Sequence, residues 1–147
     1  MQPSAISPQA TEETRAALAA LIDAFSRGDS ARLADCYDSD VDWLFHAPAS
    51  IFPFSGVRHG SADVLRGFAA LYQGYRVVDY RVETMVVDGD CAATLSDGRL
   101  SQRSTGRIIR VRTANFYRFR AGKVIAYRGF TDSLDIAEQV LGRELDF

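Results

Sequence analysis

Histidine and cysteine are scarce in this sequence, with two of each among 147 residues. Cys36 and Cys91 form no CxxC pair and stand at no metal-type spacing from His46 or His59. Neither a metal site nor a disulfide framework is therefore expected, and both cysteines read as small buried hydrophobes. No apolar run approaches the roughly 20 residues of a membrane span. The opening stretch MQPSAISPQA has no basic region followed by an apolar one. No secretory leader is expected from it, which leaves the cytoplasm as the default compartment. Basic charge is not in excess either: 17 Lys and Arg face 19 Asp and Glu, for a net charge of -2. That balance argues against bulk electrostatic binding of nucleic acid. Lys123 is the only lysine, so the positive charge is almost all arginine.

What is present is apolar and aromatic. Hydrophobic residues make up 47% of the chain and aromatics 11%. The length suits one domain with a full core, expected over residues 11–147, with residues 1–10 (Pro3 and Pro8 among polar neighbours) as a flexible tail. Thr11 is a plausible helix N-cap, and Leu18, Leu21, Ile22 and Phe25 recur at helical spacing before Gly28. A short helix from Asp29 or Ser30 carries Leu33, Ala34 and Tyr37 inward. Val41 to Ala47 reads as a strand, broken by Pro48, Pro53 and Gly56. Ser61 caps a third helix with Leu65, Phe68 and Tyr72. The period then changes to two. Val78, Tyr80, Val82, Thr84 and Val86 share one face of a strand, and Asp88-Gly89-Asp90 signals a hairpin turn. A second strand begins at Cys91, with a bulge or bend expected at Asp97-Gly98. The third long strand puts Ile109, Val111, Thr113, Asn115, Tyr117 and Phe119 on one face and an arginine row (Arg110, Arg112, Arg118, Arg120) on the other. Ala121-Gly122 turns into a last strand, Val124 to Thr131. Asp132-Ser133 then caps a terminal helix. The expected class is α+β: a cone-shaped, strongly curved, mainly antiparallel sheet packed against three helices of the N-terminal half, with a short C-terminal helix.

Three stretches in order, FSRGDSARLADCYDSDVDW (25–43), FPFSGVRHG (52–60) and ANFYRFRAGKVIAYRGFTD (114–132), carry a resemblance to the SnoaL-like branch of the nuclear-transport-factor-2-like superfamily, which includes the ketosteroid isomerases. The likeness runs from about Thr11 to the end. It implies a pocket between the concave face of the sheet and the helices. It also implies particular catalytic positions, and this sequence departs from them. The isomerases' helix-1 tyrosine falls on Leu21, their general-base aspartate on Phe45 and their protonated aspartate on Asn115. The acidic residue that cyclases and epoxide hydrolases carry on the last strand falls on Gly129. The hydrolases' Arg-x-Asp pair falls near Thr94 and Ser96. Leucine, phenylalanine and glycine move no protons, while asparagine still donates hydrogen bonds.

The resemblance sets Asn115 inward; strand parity then places Thr113 and Tyr117 on its face and Trp43, Phe45 and Tyr127 on the inner faces of their strands, and Phe54, Tyr72 and Tyr80 join them as candidate ligand contacts. The alternative is that Trp43, Phe45, Phe52 and Phe54 simply fill the cone. Such a lining suits a small, largely apolar, polyketide- or steroid-like ligand. Asn115 is expected to orient a carbonyl or hydroxyl. His46 and Asp132 are the candidate proton carriers, His46 against a strand-end structural role and Asp132 against an N-cap role. His59 and Arg58 read as loop residues, Arg58 with a possible anion at the cavity mouth. No cofactor and no metal is expected. The arginine row reads as a solvated outer face or a homodimer contact, balanced by Glu83 and Asp79. Two functions stay open: a cofactor-independent isomerase, cyclase or hydrolase, and a non-catalytic ligand-binding or dimerisation module.

Overall fold

The computed structural model describes residues 8–147, so most of the expected N-terminal tail lies outside the described residues. The first helix starts earlier than the expected cap. α1 runs Pro8–Arg27, with the proline in the first turn, where its missing N–H costs nothing. Thr11 is thus inside the helix and takes a different job. Its Oγ1 accepts from the Gly89 N–H at 2.9 Å, while the Thr14 hydroxyl donates to the Gly89 carbonyl at 2.6 Å. The two threonines fasten α1 to a distant hairpin turn. Leu18, Leu21 and Ala24 bury the inner stripe. The helix closes with the Gly28 N–H on the Phe25 carbonyl and the Asp29 N–H on the Ala24 carbonyl, a pairing that needs Gly28 left-handed (φ 63°). Asp29 then caps α2 (Ser30–Asp35) by accepting from the Arg32 N–H.

β1 (Tyr37–His46) alternates as its sequence predicts, with Val41, Trp43 and Phe45 buried and Asp42 and His46 exposed. The stretch after Pro48 is not all irregular. Gly56–His59 forms a short strand, β2, antiparallel to β1 with Phe45 opposite Gly56. Four residues show too little alternation to be seen in a sequence. α3 (Ser61–Gly74) has Gly60, not Ser61, at its N-cap; Asp63 receives the His59 backbone N–H instead. Val64, Phe68 and Leu71 face the sheet.

β3 (Tyr75–Asp88) departs most from expectation. Its register against β4 (Cys91–Gln102) slips between Val77 and Asp79 and again between Val82 and Thr84. Each slip is a bulge that exchanges the faces of the residues beyond it. Val77, Met85 and Val87 therefore join the core, while Val78 and Val86 are exposed. Tyr80, between the two bulges, points inward. The bend expected at Asp97-Gly98 belongs to the partner strand, since β4 pairs with β5 (Ile108–Arg120) without interruption. β5 follows its predicted parity throughout its length. A two-residue turn, Ala121-Gly122 with φ of 52° and 76°, leads into β6 (Lys123–Thr131).

The six strands lie in the order β2-β1-β6-β5-β4-β3, with β1 and β6 parallel and the remaining neighbours antiparallel. The sheet is open. Its concave face holds the core under α1, α2 and α3, as the sequence predicts. α4 (Ser133–Leu141) begins at the Asp132 cap. It covers the edge of β5 that β6 leaves bare: the Gln139 amide accepts from the Arg110 N–H and donates to the Arg110 carbonyl, both at 2.8 Å. One side chain thus stands in for a missing strand partner.

Candidate functional site: an aromatic cavity with a neutral polar wall

The concave face holds a partly open cavity of about 80 Å³. Strands supply most of its wall because inward positions alternate along β1, β5 and β6: Trp43 and Phe45, then Val111, Thr113, Asn115 and Tyr117, then Tyr127. α1 adds Leu21, Ile22 and Phe25, and α3 adds Phe68 and Leu71. The rings are packed on one another. Trp43 lies edge-on to Phe54, with centroids 5.0 Å apart, and 5.1 Å from Tyr127. Phe25 meets Tyr80 edge-on at 5.1 Å.

Asn115 is the centre of the one polar patch on this wall. It is buried, and cross-strand register sets it opposite Thr94 on one side and Gly129 on the other. Its Nδ2 donates to Thr94 Oγ1 at 3.1 Å and to Ser96 Oγ at 3.2 Å. Its Oδ1 accepts from the Tyr127 hydroxyl at 2.7 Å, and the Ser96 hydroxyl donates to the Thr113 carbonyl at 3.4 Å. Gly129 makes the Tyr127 contact possible, because a methyl group there would overlap the Tyr127 hydroxyl and the Phe45 ring. Gly98 does the same for Tyr80, whose ring lies across it.

This arrangement commits the Tyr127 proton and both Asn115 amide protons inside the wall. The Tyr80 hydroxyl meets Ser96 and Asn115 at the same patch, and the Tyr117 hydroxyl meets Thr94. Burial pushes the Tyr117, Tyr127 and Tyr37 phenols well above their ordinary value. Tyr80 is also raised by burial, which contacts with Ser96 and Asn115 partly offset. All four stay protonated at neutral pH. They can donate hydrogen bonds and cannot serve as bases.

Among the described residues, no carboxylate, imidazole, ammonium or guanidinium lines the cavity. The two side chains expected to carry protons lie elsewhere. His46 is exposed on the opposite face of β1, its ring stacked on Phe130 at 4.4 Å and 12°; strand parity holds through the strand end and Pro48 does not turn it inward. Asp132 is spent on the Asp135 N–H as the α4 cap and borders an outer-face groove beside Arg110 and Arg112. Tyr72 is not in the wall either. Its hydroxyl donates to the Phe25 carbonyl and fixes α1 against α3. Arg58 points into the fold toward Asp63 and the Pro53 carbonyl, and His59 ends β2. Trp43, Phe45, Phe54, Tyr80, Thr113, Asn115, Tyr117 and Tyr127 do come together around the cavity. Sequence reasoning missed Tyr37, Gly98 and the partnership of Thr94 and Ser96 with Asn115. The signal for that partnership was the Asp88–Asp90 turn and the length of β4, which together set Thr94 and Ser96 on the inner face.

On the outer face, arginines pair with carboxylates: Arg110 with Asp97 at 2.8 Å, Arg112 with Glu83 at 3.2 Å and Arg128 with Asp42 at 2.7 Å. Among the described residues no cluster of His, Cys, Asp or Glu could hold a metal ion, and no helix is long and apolar enough to cross a membrane.

A family model described as the SnoaL-like domain matches residues 18–127. A solved protein from Rhodopseudomonas palustris, provisionally named an isomerase, is 32% identical over 86% of this chain and 97% of its own, with a TM-score of 0.82. A protein from Jannaschia sp. CCS1, provisionally named a SnoaL-like polyketide cyclase, superposes with a TM-score of 0.76 at 19% identity, over 94% of this chain and 97% of its own. An epoxide hydrolase of the LEH-like type from M. tuberculosis does so at 0.74 and 13%, over 90% and 92%. The last two likenesses show the fold alone. No curated protein matches the sequence.

Proposed function

The chain belongs to the SnoaL-like domain family, and from that membership we propose that it binds one small, largely apolar molecule that is uncharged and carries a hydrogen-bond acceptor. The observation that carries this reading is the wall itself: a mainly aromatic lining with aliphatic residues from α1, α3, β4 and β5, one neutral polar patch, and no charged group among the described residues. An anion or cation entering such a site loses its hydration and gains no counter-charge. A carbonyl or ether oxygen gains the Tyr80 and Tyr117 phenols as donors, with Asn115 holding the patch in place. Binding needs no cofactor. The unit is a single domain over residues 11–147, and the two unpaired cysteines suit a reducing compartment such as the cytoplasm.

The test is a titration with neutral ring ketones and with carboxylate analogues of the same size, followed by Trp43 emission. Trp43 is 1% exposed and touches the cavity. The ketones should quench or shift it, the carboxylates should bind at least tenfold more weakly, and Tyr117→Phe with Tyr80→Phe should weaken binding of the ketones. Equal affinity for both probe sets, or emission that no probe changes, refutes the reading.

The likeness to the R. palustris protein supports a second reading, a cofactor-independent isomerase. The same phenols would then polarise the acceptor oxygen, and turnover would fall with Tyr80→Phe or Tyr117→Phe while His46→Ala and Asp132→Asn changed nothing. The outer face suits a homodimer. Phe116, Leu95 and Phe130 are about half exposed there, and Phe116 meets Phe130 edge-on at 6.2 Å. Patches of that kind mark contact surfaces. Sedimentation of Phe116→Glu as a monomer, with the parent chain a dimer, would support it.

A further inference from the structure

The cavity is too small for the ligands its fold was expected to hold. Sites for drug-sized molecules run to roughly 300–1,000 Å³, and an apolar cavity on the order of 150 Å³ takes benzene. This one measures about 80 Å³. Two of the rings that occupy the missing space differ from the rest in what holds them. Every other wall residue sits on a helix or strand; Phe52 and Phe54 sit on the segment 47–55 between β1 and β2.

Few hydrogen bonds hold that segment; ring packing of the buried Phe52 and Phe54 against Phe45, Tyr75, Trp43 and Phe68 does most of the rest. Its backbone bonds are local, from the Ile51 and Phe52 N–H groups to the Pro48 carbonyl and from the Ser55 N–H to the Phe52 carbonyl. The hydrogen bond that reaches it from outside, among the described residues, comes from Arg58 Nη2 to the Pro53 carbonyl at 3.0 Å. The same guanidinium binds the Asp63 carbonyl and carboxylate, both at 3.2 Å. It can lie there because residue 67 is glycine, since a Cβ at that position would stand 2.6 Å from Arg58 Nε. The seated position leaves two buried polar atoms without partners, Ser55 Oγ and Arg58 Nε. Native folds rarely leave such groups unpaired, and both fall on the segment or its clamp. Gly56, at the junction with β2, has φ of 104° and open space where a side chain would be, so the chain can pivot there.

We infer that Phe52 and Phe54 form a displaceable plug that sets the size of ligand the cavity accepts, and that Arg58 is the positioning residue that holds the plug seated. This rests on the binding reading above and adds to it. With the plug seated, the cavity takes a molecule no larger than a single ring. With the two rings withdrawn, the space they leave joins the cavity, and ligands of two or more rings fit. Trp43 reports the change directly, because its ring stands edge-on to Phe54.

The test compares the parent chain with Phe54→Ala, which removes half the plug, and Arg58→Met, which removes the clamp and leaves the wall intact. Each is titrated with cyclohexanone and with 2-acetylnaphthalene while Trp43 emission is followed. Both variants should bind the naphthyl ketone at least tenfold more tightly than the parent does, with cyclohexanone affinity within threefold in Arg58→Met. In the absence of any ligand, acrylamide should quench Trp43 at least twice as efficiently in Arg58→Met as in the parent. If cyclohexanone binds all three chains and neither variant gains for the larger ketone, the plug is overturned and the binding reading stands. If Trp43 in a folded Arg58→Met stays as protected as in the parent, the clamp is overturned. If no probe binds any chain, both readings fall.

Discussion

Asn115 and Tyr127 should show strong energetic coupling. Asn115→Leu keeps the volume and removes the amide. It strands the Tyr127 hydroxyl, which now donates at 2.7 Å, and takes an amide proton away from Thr94 and another from Ser96. All four residues are buried, so water does not replace what is lost. One stranded hydroxyl costs about 1–3 kcal/mol, and the two weakened acceptors add to it, giving about 2–4 kcal/mol. Tyr127→Phe strands only Asn115 Oδ1 and should cost about 1–2 kcal/mol. The double variant strands neither the hydroxyl nor the amide oxygen, so its loss should not exceed that of Asn115→Leu alone. The coupling is then at least about 1–2 kcal/mol. For a chain of this length, Asn115→Leu should lower Tm by roughly 5–15 °C. Urea unfolding followed by Trp43 emission measures the whole cycle, since that ring packs 5.1 Å from Tyr127. Additive losses, or a neutral Asn115→Leu, would mean that water reaches the patch, and the dry, charge-free wall would be refuted.

Gly129→Ala should displace Tyr127 from Asn115, since the added methyl meets the Tyr127 hydroxyl and Phe45; overpacking of this kind costs about 1–3 kcal/mol, and a weakened near-ultraviolet dichroism with a lower urea midpoint would report it. Ala121→Asn should stabilise the chain by about 0.5–1 kcal/mol, because Ala121 stands at φ 52° in a turn where asparagine tolerates the left-handed region; an unchanged midpoint would count against the turn geometry. Alkali should unfold the protein through its tyrosines. Burial holds Tyr37, Tyr117 and Tyr127 above their ordinary value, so the stability they confer is fully present below about pH 10 and is lost as pH rises past it, at about 1.4 kcal/mol per unit for each phenol. Their phenolate absorbance should appear together with loss of structure; its appearance in the folded state would refute their burial.

The strands with one buried face were readable in advance. β5 alternates without a break and β6 does so from Ala126 on, past a bulge at Ile125, so once Asn115 is set inward Tyr117 and Tyr127 follow by parity. β3 was readable only between its bulges, at Tyr80 and Val82. A bulge adds one residue with no compositional mark, and each of its two bulges reverses every later side chain. The same limit applied to the site. Parity alone puts His46 outward, on Phe130, and only a reversal at Pro48, which does not occur, would have brought it into the cavity.

Periodicity, turn residues and the absence of clustered ionisable groups were enough to define an α+β cone with an aromatic interior, because burying one face of a strand or helix leaves its period in the chain. The sequence by itself also determined that the usual acids are missing from the family's positions, since leucine, phenylalanine and glycine have no proton to give. Three things were decided only by tertiary structure. Thr94 and Ser96 join Asn115 through cross-strand register, which depends on where β4 and β5 meet. Tyr127 reaches Asn115 only because Gly129 leaves the space between them open. The cavity is narrow because the segment 47–55, which has no period to read, folds two rings into it under a guanidinium that fits only over Gly67. Contacts between residues far apart in the chain are set by packing in three dimensions, and a linear pattern carries no record of them.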